Sequence, residues 1–375
     1  MIPIAFPLLG NEEKDAVLQV FSSGRLAQGN QVARFEHDFA QFCSVQEAVA
    51  VSSGTAALHL ALLAHGIGPG DEVITTAFSF CATANVILLV GATPVFVDIE
   101  PDTYNIDPDL VERAITPRTK ALLPVHLFGH PCEIDRLSQL AQRHHLVLIE
   151  DACQAHAAMV GSKPVGGFGT GCFSFYATKN MTTGEGGMVT TNDADISRRL
   201  RLLRSHGQKE RYQHTDLGYN LRMTDIQAAL GIVQLQKLQH MTMQRIANAA
   251  FLTEQLAGVV QTPTVRPGHH HVYHQYTIQV PHERDQWVVQ LRERGVDVAV
   301  HYAVPIHQQP FYQARKEMFR CVSAHDSTTR TGAQVGGQLP YTEQAARHVL
   351  SLPVHPALSR ADVMTITTEV LNLCH

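Results

Sequence analysis

The sequence predicts an α/β protein with a mainly parallel central sheet, helices on both of its faces, and a smaller C-terminal α+β unit. Three observations carry this. From about residue 48, short apolar runs alternate with helical patterns. The runs are apolar almost throughout, which fits strands covered on both faces. Beyond a Pro/Gly-containing stretch, "QTPTVRPGHHHVYH", the rhythm changes. A length of 375 residues suits two domains. The boundary is placed near residue 250, giving a large unit over 1–250 and a small one over 251–375.

Taken in order, "AVAVSS" reads as a strand and "TAALHLALLAHG" as a helix ending at Gly66. "DEVITTA", "TPVFVDI", "KALLPVH" and "LVLIED" read as strands, separated by the helical patterns "TANVILLVG", "DPDLVERAI" and "EIDRLSQLAQRHH". "CFSFYA" and "GGMVTT" add two strands. After "ADISRRLRLLRSHG", the polar stretch 208–220 reads as irregular. "TDIQAALGIVQLQKL" then has helical spacing at Ile226, Ala229, Leu230 and Val233, and Thr224 with Gln227 forms a capping box at its start. This helix is expected to run toward residue 256 with a break or bend. In the small unit, "QYTIQV" and "VDVAVHY" read as strands, and "RDQWVVQLRERG" and "RADVMTITTEVLNL" as helices.

Composition excludes several function classes. Hydrophobic residues make up 45% and charged residues 17%, with a net charge of −5. That balance argues against bulk electrostatic binding of nucleic acid or of an acidic membrane. Seven cysteines are scattered without a CxxC pair, which fits free thiols in a reducing compartment. The N-terminal stretch lacks a basic region and a cleavage site, and the apolar run "ATANVILLVGA" is too short to span a bilayer. A cytoplasmic protein is expected.

Three strand ends carry candidate chemistry, and ligands of open α/β sheets sit beyond the carboxyl ends of the strands. Ser53-Gly54-Thr55 ends the first strand and opens a helix. Such a turn suits a phosphate, and equally serves as an ordinary helix cap. Glu150-Asp151 ends the strand "LVLI". A carboxylate there either pairs within the protein or holds a cationic nitrogen on a ligand. Lys179 follows the strand "CFSFYA" and precedes a loop rich in Thr and Gly. A desolvated lysine amine is a nucleophile toward carbonyls, whereas an isolated lysine at a strand end is ordinarily a surface residue. Together the three match the attachments of pyridoxal 5'-phosphate: its phosphate, its ring nitrogen and its aldehyde.

These blocks, with "TTAFSFCATAN", "PVHLFG", "IEDACQAH", "CFSFYATKNMTTGEGGMV", "GYNLRMTDIQAA", "VHYAVPIHQQP" and "SLPVHP", occur in an order that resembles the DegT/DnrJ/EryC1/StrS family of sugar aminotransferases, within the fold-type I pyridoxal-phosphate enzymes. The resemblance covers nearly the whole chain. It implies that Lys179 is the Schiff-base lysine and Asp151 the partner of the pyridine nitrogen. It places Gln154 near the cofactor's 3-hydroxyl, Gly54, Thr55 and Ser174 at the phosphate, and Phe80 on the pyridine face. Asn220 matches an asparagine that reaches the cofactor phosphate of a neighbouring subunit, so a C2 homodimer with composite sites is implied. The implied reaction is ping-pong transfer of an amino group from L-glutamate to a keto sugar, a nucleotide-linked 4-keto-6-deoxy hexose by analogy. A 3-keto nucleotide sugar and a keto-cyclitol are the alternative acceptors.

Substrate contacts are expected from two segments. Arg204, Lys209 and Arg211 in "RSHGQKERYQH" either meet a diphosphate or form a solvated basic loop. His301, Tyr302 and His307 fall where the family places the sugar pocket. The run His269–His271 is assigned no metal, because consecutive side chains on a strand point to opposite faces. "ATK" stands where the family more often has "PTK", which leaves the lysine in place. A same-fold dehydratase carries histidine at the lysine position, so Lys179 speaks against it. A DNA-binding regulator is disfavoured by the acidic balance.

Overall fold

A computed structural model of the protein describes residues 1–324, 334–335 and 337–374. The chain opens with helices α1 (Asn11–Ser23) and α2 (Asn30–Phe42). Strands and helices then alternate as the apolar runs predict: β1 (Glu47–Val51), α3 (Gly54–Ala64), β2 (Glu72–Thr76), α4 (Ala82–Leu89), β3 (Thr93–Val97), α5 (Pro108–Ala114), β4 (Thr119–Leu122), α6 (Ile134–Arg143) and β5 (Val147–Asp151). A short pair, β6 (Met159–Val160) and β7 (Lys163–Pro164), precedes β8 (Thr170–Ser174), β9 (Gly187–Thr191) and α7 (Ala194–Arg204). The stretch expected to be irregular holds a small hairpin, β10 (Gln208–Glu210) and β11 (Gln213–His214), ahead of α8 (Asp225–Leu256). The remainder comprises β12 (His269–His270), β13 (Tyr276–Gln279), α9 (Arg284–Glu293), α10 (Pro310–Gln313), β14 (Arg320–Val322), β15 (Gln334–Val335), α11 (Pro340–His348), β16 (Val349–Leu352) and α12 (Arg360–Leu373).

Among the described residues nine strands form the main sheet, in the order β1-β9-β8-β5-β4-β2-β3-β14-β15. The pairs from β8 through to β14 are parallel, while β1–β9, β9–β8 and β14–β15 are antiparallel. Helix α3 explains why the sheet is covered so completely. Its sequence is apolar nearly all round, and Leu58, Leu60 and Leu62 are buried against Val73, Ile149 and Val189 in one core cluster. On the opposite face, Phe35 and Phe39 of α2 meet Phe173 and Phe175 at the end of β8. No helix among the described residues is long and apolar enough to cross a membrane.

The C-terminal unit departs from its expected outline. The boundary near 250 falls inside α8, which runs unbroken over 32 residues from a Thr224/Gln227 capping box. Its first half packs on α1 and α2, and its last turns (Ala249, Leu252, Leu256) enter a second core with Trp287, Leu291 and Ile366. The chain later returns to the large sheet: β14 pairs with β3, burying Cys321 and Val322. Residues 296–302, read as a strand, make only isolated bridges, Val296 to Ile2 and Ala299 to Ser351. Val296 and Val298 still point into the core, but the backbone changes partners along the segment.

Candidate active site

The carboxyl ends of β5 and β8 and the start of α3 face one cavity of about 600 Å³. Its walls include Gly54, Thr55, Phe80, Asp151, Gln154, Ser174, Lys179, His301 and Tyr302. Nine of the fourteen residues expected at the site are thus brought together by the sheet.

The phosphate-type turn does both jobs that its sequence allows. Ser53 Oγ accepts from Ala56 N at 3.1 Å and caps α3. Gly54 and Thr55 follow, and the first N–H groups of a helix lack intrahelical partners. Glycine is required at 54 by close approach: a Cβ there would lie 2.7 Å from Ser174 Cβ and 3.0 Å from Cys153 Sγ.

The adjacent carboxylates of β5 separate by strand alternation. Glu150 is fully buried and accepts from Gly166 N, Phe168 N and Gly169 N at 2.8 Å each, and it bonds His126. It organises the turn before β8. Asp151 points to the other side, into the cavity. Its Oδ2 accepts from Thr83 Oγ1 at 2.8 Å and its Oδ1 from Cys153 N at 3.2 Å.

Lys179 is partly exposed to the cavity, and its amine has no hydrogen-bond or ion-pair partner among the described residues. Burial holds its pKa below the ordinary lysine value, and the neighbouring Cys153 and Asp151 oppose that shift. The imidazoles around it are neutral. His301 is pushed down to about 4 by burial and then by the Lys179 charge, and His274 falls well below its ordinary value for the same reasons. His301 Nδ1 lies 3.0 Å from Ser351 Oγ.

Gln154 is clasped from two directions. Its Oε1 accepts from Phe128 N at 2.9 Å, and its Nε2 donates to Tyr302 Oη at 2.9 Å. Tyr302 stacks on Phe128 with an interplanar angle of 7°. Because Tyr302 Oη accepts from Gln154, its own proton is free to donate. Burial raises its pKa, so the phenol stays protonated.

Five expected residues lie outside the cavity lining. Arg204 is 3% exposed, and its Nη1 donates to Glu36 Oε1 at 2.6 Å and to Ala50 O at 2.7 Å. It is tied into the interior and is not available to a diphosphate. His307 is likewise buried, 3.2 Å from Glu343 Oε1. Lys209 and Arg211 are exposed around the β10–β11 hairpin. Asn220 is exposed and bridges to Ser205. In the His269–His271 run, His269 stacks on His130 and His271 meets the same ring edge-on while stacking on Tyr273. The cavity also contains residues that sequence reasoning passed over, among them Ser79, Thr83, Tyr176, Glu185, His274 and Gln275. Ser79 and Thr83 sit in the quoted "FSFCATAN" block, four residues apart, a spacing that puts both side chains on one side of a helix start.

The chain is similar to several known proteins. The chain is 41% identical to the "Pleiotropic regulatory protein" of Geobacillus stearothermophilus, over 94% of this chain and 91% of the relative. It is 40% identical to the dTDP-3-amino-3,4,6-trideoxy-alpha-D-glucose transaminase of Streptomyces venezuelae, covering 98% and 93%. The crystal structure of S. venezuelae DesV in complex with a ketimine intermediate superposes with a TM-score of 0.90 at 39% identity, covering 97% of this chain and 95% of that one. Residues 7–371 match the shared family pattern, and the chain belongs to the DegT/DnrJ/EryC1/StrS aminotransferase family.

Proposed function

We propose that this protein is a pyridoxal-phosphate-dependent aminotransferase that moves an amino group from L-glutamate to a keto sugar carried on a nucleotide. The observation that carries the reading is an unpartnered Lys179 amine in the same cavity as Asp151, beside the open start of α3. These residues fit the cofactor. The glycine cradle at 54, with Thr55 and Ser174, would hold its phosphate. Asp151 would pair its ring nitrogen, Phe80 would cover one face of the ring, and Gln154 would reach its 3-hydroxyl. When bound, the cofactor supplies a carbonyl that exchanges amines and a ring that stores an electron pair.

The protein's own groups supply the rest. The depressed pKa of Lys179 enlarges the fraction of free amine, which would hold the cofactor through its carbonyl. The same amine would be placed to take up and return a proton at the carbon of the amino donor. The first half-reaction releases a keto acid, and the second delivers the amine to the sugar, giving ping-pong kinetics. Tyr302, held by Gln154, and the neutral His301 present polar groups to the substrate. Asn220, exposed as it is, is available to the phosphate site of a second copy, in a homodimer with composite sites.

The 4-keto-6-deoxy hexose expected by analogy is the first acceptor to test. The 3-amino product in the name of the S. venezuelae relative favours a 3-keto sugar as the second. The test is to load the protein with pyridoxal phosphate, reduce with borohydride and map the adduct, then supply glutamate and a panel of keto sugars and keto-cyclitols. Label on Lys179 and turnover with a nucleotide-linked keto sugar are expected. Absence of label on Lys179 sinks the reading.

A further inference from the structure

We propose that Ser79 and Thr83 form a hydroxyl relay that positions Asp151 for the reaction, making Thr83 a positioning residue; this rests on the reading of Asp151 as the partner of the cofactor ring nitrogen. Both hydroxyl residues line the cavity, and both are buried, Thr83 at 1% and Ser79 at 3% exposure. Thr83 Oγ1 lies 2.8 Å from Asp151 Oδ2, and Ser79 Oγ lies 3.0 Å from Thr83 Oγ1.

The direction of the relay follows from proton counting. An ionised carboxylate only accepts, so Thr83 must donate to Asp151. A hydroxyl has one proton, so Thr83 must then accept from Ser79. The chain runs Ser79 to Thr83 to Asp151, and each bond strengthens the next. Cys153 N holds the other carboxylate oxygen at 3.2 Å. With one donor on each oxygen, the plane of the carboxylate is fixed.

The relay also crosses the sheet. Ser79 comes from the β2–α4 connection, Thr83 from the first turn of α4 and Asp151 from β5, and β4 lies between β2 and β5. Phe80 sits between the two hydroxyl residues in sequence, so the segment that aims Asp151 also carries the aromatic wall of the cavity. The two donors keep the carboxylate aimed into the cavity, where it would face the ring nitrogen of the bound cofactor. A valine at 83 would fill nearly the same space, so the hydroxyl can be removed with little change in packing.

The test compares wild type, Thr83→Val, Thr83→Ser and Ser79→Ala, each loaded with pyridoxal phosphate or with its deaza analogue, in which carbon replaces the ring nitrogen. The readouts are the cofactor dissociation constant, the pH at which the bound cofactor changes absorbance, and the single-turnover rate with glutamate. Thr83→Val should weaken pyridoxal phosphate binding about 10-fold and slow the half-reaction about 10- to 100-fold, in line with losing a hydrogen bond to a charged group. Thr83→Ser should restore both, and Ser79→Ala should show a smaller loss of about 2- to 5-fold in the same direction. With the deaza analogue, every variant should bind as wild type does. Equal behaviour of Thr83→Val and wild type, or equal loss with both cofactors, overturns the relay. Should Thr83→Val not fold, Ser79→Ala decides between the same outcomes. Asp151→Asn, run in parallel, separates the two readings. If it binds both cofactors as wild type does, the assignment of Asp151 fails and the relay goes with it; if it discriminates while Thr83→Val does not, only the relay fails.

Discussion

Around Glu36 the protein buries charge that is matched, whereas around Lys179 it buries charge that is not. Glu36 accepts from Arg201 Nη1 and Arg204 Nη1 at 2.6 Å each and from Ala50 N at 2.8 Å, joining α2, β1 and α7. In the cavity, the Lys179 amine has no partner among the described residues, and its pKa is depressed by burial. Both regions hold cations within the folded chain. The difference is that the first is ion-paired within the fold and the second is not. A buried cation therefore marks a functional site only when its partners are missing.

The comparison is sharpened most by removing each cation in turn. Lys179→Ala should lower turnover by at least about 1,000-fold, as loss of a covalent nucleophile does. Its melting temperature should hold or rise, because a desolvated amine has been removed. A variant that still transaminates normally breaks the contrast. Arg204→Ala should do the reverse. It leaves Glu36 with one arginine fewer in a buried setting, so unfolding in urea should show a loss of about 3 kcal/mol, while kcat of the folded fraction stays within about 2-fold of wild type by the ordinary behaviour of residues remote from a site. A large fall in kcat with normal stability would return Arg204 to the substrate site.

The smallest effect concerns acid. His301 has a folded pKa of about 4 against an ordinary value of 6.5. The unfolded chain therefore binds the proton more readily, so the stability that this group confers is complete above pH 6.5 and is lost as pH falls toward 4. His301→Asn should flatten the slope of melting temperature against pH within that window, by an amount on the order of 1 kcal/mol after allowing for solvent screening at a partly exposed side chain. An unchanged slope would assign the acid response to the more deeply buried imidazoles instead.

What the sequence made legible was local. The alternation of apolar runs and helical patterns is written residue by residue, and so were the strand ends that place Ser53, Asp151 and Lys179 around one cavity. What it hid was non-local. Arg204 reads as part of a basic loop because Glu36, its partner, lies far away in sequence. His307 reads as a sugar contact until Glu343 is seen beside it. Glu150 and Asp151 look interchangeable until the pleat sends one to a turn and the other to the cavity. Thr83 carries no signal of its own, since a threonine near a helix start has many reasons to be there. The strand β14 is three residues long, too short for any periodicity to register.

That short strand has a bearing on how the protein is made. Val97, in β3, is paired with Val322 of β14, so the edge of β3 stays open until residues 320–322 have been made. An open, apolar edge is a template for pairing with other nascent chains. The pairing is also a contact of long sequence separation, for which loop-closure entropy is high. A chain halted before Arg320 would leave β3 without this partner, so residues 320–322 act as the cover of an edge that would otherwise be open to other chains.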